Sequence, residues 1–125
     1  MVTGDDVRRF ALSLPRTTEH WLKDRAKFKV GRIVYATLSP DEMSMGFGFP
    51  KEERAALVAA EPHKFHMPAN RDMRYHWVRV WLSEIDETEM RELVLDAWRM
   101  CVPKSVRAAY DATSERRGEG STKPS

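Results

Sequence analysis

Trp77-Val78-Arg79-Val80-Trp81-Leu82 alternates strictly over a strand's length, sending Val78, Val80 and Leu82 to one face and Trp77, Arg79 and Trp81 to the other. The aliphatic face belongs to a core. The other face departs from the Thr, Lys, Glu or Ser of a water-facing strand, because two indoles flanking a guanidinium present a large apolar area. Another chain, a ligand or a nucleic-acid base would account for it.

Outward from that strand, the periods of the flanking segments define a layered domain. Val7, Phe10, Ala11 and Leu14 form one stripe of a helix that starts near Thr3 or Asp5 and stops before Pro15. Arg16 to Asp24 reads as a polar loop containing Trp21. Lys27 to Val30 alternates, Gly31-Arg32 turns, and Ile33 to Leu38 returns, which is a hairpin. Met43, Met45, Phe47 and Phe49 alternate with Glu42, Ser44, Gly46 and Gly48 over a third strand. Pro50 opens a helix that ends before Pro62, Lys64 to Met67 is a short extended piece, and Pro68 to Arg74 is a turn-rich loop. Asp86 with Glu89 resembles a capping box for a final helix with the stripe Met90, Leu93, Val94, Ala97, Trp98 and Cys101, ended by Pro103.

The order α-β-β-β-α-β-β-α predicts an α+β two-layer sandwich: an antiparallel sheet with helices packed on one face. Residues 1–110 form a single domain in this reading, and residues 111–125, rich in Ser, Gly, Lys and Glu, are expected as a disordered polar tail. Lys27, Lys29, Tyr35, Trp77, Arg79 and Trp81 are left on the open face of the sheet.

The 125 residues, 42% hydrophobic and 32% charged, suffice for one core without disulfide or metal staples. No apolar run approaches the roughly 20 residues of a membrane span, and Met1 to Asp6 lacks the pattern of a secretory signal. A soluble cytoplasmic protein without a membrane partner is expected. The lone Cys101 sits among apolar positions and reads as an inert thiol. Net charge is only +2, but it is unevenly spread. Residues 16–32 carry six basic groups against two acidic, residues 64–79 four against one, and residues 84–96 one against six. If the two basic segments meet, one face is cationic.

Taken in order, Asp5-Asp6-Val7-Arg8-Arg9-Phe10-Ala11-Leu12-Ser13-Leu14-Pro15, Glu19-His20-Trp21, Phe28 through Leu38, and Ala97-Trp98-Arg99-Met100-Cys101-Val102-Pro103-Lys104 resemble the MmcQ/YjbR family of small bacterial proteins. The resemblance spans nearly all of residues 3–110. It implies a CyaY-like, that is frataxin-like, sandwich and a DNA-binding role through exposed sheet and loop surfaces, the so-called double-wing arrangement. In the loop Pro68 to Arg74 this chain is basic where family members often carry glycines.

The residues themselves leave three uses for the open face. For nucleic acid, Lys27, Lys29, Arg32, Arg74 and Arg79 neutralise phosphates while Trp77 and Trp81, with Tyr35, stack on bases. The same indoles also suit protein interaction or homodimerisation, and the chain is expected as a monomer or a weak homodimer. A small anionic ligand would need His20, Trp21, Tyr75 and His76, with Arg74, to meet at one end of the sheet. His63, His66 and His76 are close in sequence, but on an extended segment His63 and His66 point to opposite faces, so neither metal nor cofactor is expected. No phosphate loop, nucleophile elbow or Cys and His pair in a polar setting is present, which favours a binding module over an enzyme.

Overall fold

A computed structural model describes residues 1–122 of the chain, with side chains described through Thr113. Helix α1 (Gly4–Ser13) begins where Thr3 Oγ1 accepts the Asp6 N–H at 3.2 Å and Asp6 Oδ2 accepts the Thr3 N–H at 2.9 Å, a reciprocal box that satisfies two helix-entry donors. Strands β1 (Thr17–Leu22), β2 (Arg25–Val30), β3 (Ile33–Leu38) and β4 (Ser44–Gly48) follow as a meander. After α2 (Lys51–Ala60) come β5 (Phe65–His66), β6 (Trp77–Trp81), α3 (Glu87–Arg99) and α4 (Lys104–Thr122).

The six strands form one antiparallel sheet in the order β1-β2-β3-β4-β6-β5. Cross-strand partners share a face, so the register assigns the core directly. Phe28, Ala36, Phe47 and Val78 form one row, and Met45, Val80 and Phe65 another, all buried. Helices α1 and α3 pack side by side against that face. Trp98 on α3 is fully buried, and its indole N–H donates to Pro15 O at 2.9 Å, tying α3 to the exit of α1. Asp86 caps α3 by accepting the Glu89 N–H. The Glu89 carboxylate does not close the box but takes Lys64 Nζ, at 3.0 Å.

The α+β class and the helix-covered sheet stand as expected, but two elements and two side-chain placements need correction. Arg16 to Asp24 is not a loop: it holds edge strand β1, none of whose side chains is buried. A further helix, α4, follows Pro103 and packs Val106 and Tyr110 against the core. It runs past residue 110, and residues 123–125, the end of the expected tail, lie outside the described residues. Met43 is 59% exposed and outside the core.

Tyr35 is the fourth correction. A register shift opposite Phe28 and Lys29 turns Tyr35 to the helix side beside Ala36, where it is fully buried. Its hydroxyl pairs with Thr17 Oγ1 at 2.8 Å and donates to Ala11 O at 3.4 Å. Burial pushes its pKa up to about 12 from 10.0. Because the folded value is the higher one, the stabilisation is complete below pH ~10 and disappears as the pH rises through ~12. Alkaline titration followed by tyrosinate absorbance should therefore show one of the three tyrosines ionising only with unfolding, and Tyr35→Phe should abolish that late phase.

Candidate functional site

On the face opposite the helices, the register lines up His20, Lys27, Thr37, Gly46, Arg79 and His66 as one row crossing all six strands. On β6, Arg79 is flanked by Trp77 and Trp81, so the alternation of that strand is as expected and leaves both indoles on the open face. Each faces a small partner on β4: Trp77 pairs with Gly48 and Trp81 with Ser44. Gly46, between them, has a specific reason to lack a side chain. A Cβ there would lie 2.7 Å from Trp77 Nε1 and 2.9 Å from Thr37 Oγ1, so the indole of Trp77 occupies the space over the glycine.

A cleft of about 1020 Å³ lies over this face, with Trp77, Thr37, Gly46 and Gly48 in its lining. Lys23, Arg25, Lys27 and Arg32 contribute to it from the β1–β2 and β2–β3 hairpins, and Arg71 and Arg79 from the other half of the chain. The two basic segments thus meet. Asp24 and Asp72 are the carboxylates in the lining. None of the six cations joins an ion pair among the described residues, whereas Arg8, Arg9, Lys64, Arg91 and Arg99 elsewhere each do. Six unpaired cations against two carboxylates leave an excess of positive charge, and a concave surface focuses that potential outward.

The loop before β6 is held from below by the first turns of α2. Arg54 is buried, and its guanidinium donates to the carbonyls of Met73, Tyr75 and Trp77. Lys51 N donates to His76 Nδ1 at 3.0 Å, and Lys51 Nζ donates to Arg74 O at 3.2 Å. The wall of the cleft is therefore pinned at residues 73 to 77. Sequence reasoning missed this clamp, since an arginine four residues into a helix looks like a solvated one.

Of the residues expected to contact nucleic acid, Lys27, Arg32, Trp77 and Arg79 line the cleft. Trp81 lies on the same face outside the lining, 42% exposed, stacked on His66 with ring centroids 4.5 Å apart and 24° between planes. Burial and the Arg79 charge lower the His66 pKa. Lys29 is paired with Thr18 and Val34 and stands outside the lining, as does Arg74, which packs on Tyr75 and donates to its hydroxyl at 2.8 Å. Lys23, Arg25 and Arg71 were not singled out, because their convergence requires the hairpins and loop to be placed.

The small-ligand grouping is not assembled. Tyr75 and His76 line the cleft, but His20 and Trp21 lie on β1, four strand spacings or about 19 Å from β6. They also point to opposite faces: His20 pairs with Lys27 on the open side, and Trp21 lies under the Arg8 guanidinium on the α1 side. His63, His66 and His76 do not converge, and among the described residues no three His, Cys, Asp or Glu side chains are placed to hold a metal ion. Cys101, partly buried with its pKa raised by burial, edges the cleft just beyond α3. No helix among the described residues is long and apolar enough to cross a membrane.

The YjbR family model matches residues 12–100. The uncharacterized proteins Rv2570 of Mycobacterium tuberculosis and Mb2600 of Mycobacterium bovis are each 31% identical to the chain over 132 residues, covering 91% of it and 99% of their own length. Among solved structures, the fold is similar to that of Deinococcus radiodurans protein DR2400, a DUF419 domain. The TM-score is 0.72 at 23% identity, over 87% of this chain and 88% of that one.

Proposed function

The chain belongs to the YjbR family, and we propose that it is a DNA-binding protein that acts by binding, with no chemistry of its own, through the open face of its sheet. The observation that carries this is the cleft with six cations that join no ion pair among the described residues, around the indole of Trp77. Phosphates supply the missing counter-charge, and their condensed counterions are released on contact. Self-association through this face is disfavoured by the same charges, because two copies would bring like charges together in a desolvated interface.

Lys27, which belongs to the cross-strand row and lines the cleft, makes the cleanest test. At a single-strand slope of about 0.7 per phosphate, one lost contact costs about eightfold in affinity at about 50 mM salt and about fourfold at about 150 mM. Lys27→Gln should show that loss in fluorescence anisotropy with labelled DNA, while Arg91→Gln on α3 should bind as the parent does. Equal affinities for Lys27→Gln and the parent at low salt would refute the assignment.

A further inference from the structure

We propose that the DNA taken by this face is unpaired and that Trp77 and Trp81 stack on its bases, an inference that rests on the DNA-binding proposal above. Both indoles are backed on one side. Trp77 lies over Gly46, where an added Cβ would also come within 2.9 Å of its Cε2, and Trp81 is stacked on His66 at 4.5 Å. Each keeps an accessible surface, Trp77 toward the cleft and Trp81 at 42% exposure. A supported ring that keeps accessible surface is what a base needs as a platform, since little motion is lost when the stack forms.

Arg79 between them is pre-positioned as well. Its Nε and Nη2 donate to Met67 O at 3.0 and 2.7 Å, fixing the guanidinium plane and leaving Nη1 without a protein acceptor among the described residues. The sequence Trp77-Arg79-Trp81 along one strand is therefore platform, cation, platform, with the Cα atoms of the two tryptophans about 13 Å apart by strand rise.

Paired DNA cannot use that arrangement. Within a duplex the base faces are covered by neighbours 3.4 Å away, and reaching one requires unstacking a step. Duplex reading from the major groove is done by a projecting helix or a two-stranded ribbon. Here the cations of the hollow stand on strands, hairpin turns and the loop before β6, none on α1 to α4, and α3 reaches the lining only through the uncharged Ala97. A single strand offers free base faces, and each stacked base raises affinity by about five- to 150-fold.

The deciding experiment titrates the protein, at one low salt concentration, against three labelled ligands of about twelve nucleotides: oligothymidylate, an abasic strand with the same phosphates, and a duplex. Oligothymidylate should bind at least about tenfold tighter than the abasic strand and tighter than the duplex, with tryptophan emission quenched. Trp77→Ala/Trp81→Ala should lose at least about tenfold toward oligothymidylate and nothing toward the abasic strand. If that variant does not fold, Trp81→Ala alone carries the same prediction at lower magnitude. Equal binding of the abasic strand, or duplex bound as tightly as single strand, would overturn base stacking while leaving DNA binding in place. Absence of binding to all three would overturn both.

Discussion

Arg25→Glu combined with Lys27→Glu is expected to lower affinity for single-stranded DNA by more than about a hundredfold at about 50 mM salt without unfolding the protein. The two residues lie two apart on β2, both line the cleft and both are only partly buried. Neither takes part in an ion pair among the described residues, so reversal strands no buried carboxylate. Losing two phosphate contacts accounts for about sixtyfold at that salt, and repulsion from the new carboxylates adds to it. Because β2 side chains at 26, 28 and 30 carry the core, stability should change by less than about 1 kcal/mol. Anisotropy and a urea melt on the same sample separate the two effects. Undiminished binding with an intact fold would place the DNA elsewhere.

Arg54→Met should show the largest loss of stability, about 3 kcal/mol. Arg54 has 7% of its surface exposed and no carboxylate partner among the described residues. It is held by three backbone carbonyls, at Met73, Tyr75 and Trp77. Two effects oppose. Removing a buried guanidinium relieves its desolvation, but three carbonyls then lose charge-assisted hydrogen bonds worth about 1.5–3 kcal/mol each. The second effect wins because those bonds set the path of a loop that has no regular structure between η-turn Asn70–Asp72 and β6. Affinity should fall too, since Arg71 and Trp77 lose their fixed placement across the cleft. Arg54→Lys should recover only part of the stability, because an ammonium cannot reproduce the planar fork. A urea midpoint unchanged in Arg54→Met would contradict the clamp.

Much of this arrangement was legible in the amino-acid sequence, for reasons that also explain what was not. The period of two in Trp77 to Leu82 survives in the structure because β6 is paired on both sides, one face on the core and one toward the cleft. Strand β1 left no such trace. As an exposed edge it buries none of its residues, and its hairpin turn uses Lys23 at φ 59° where Gly or Asn would have signalled the turn. Tyr35 was misplaced because a bulge breaks the count of two without marking itself in composition. The basic rim was visible as charge, but the meeting of Arg25 with Arg71 depends on long-range placement. Gly46, between Met45 and Phe47, was the overlooked signal: glycine inside a strand implies that something approaches the backbone closely, and here that is Trp77.

The central claim, that the cationic cleft neutralises DNA phosphates, is tested most directly by the logarithmic dependence of the association constant on salt concentration. Three to six contacts predict a slope between about −2 and −4 for a single strand. A slope near zero, or no association at the lowest salt, would contradict it.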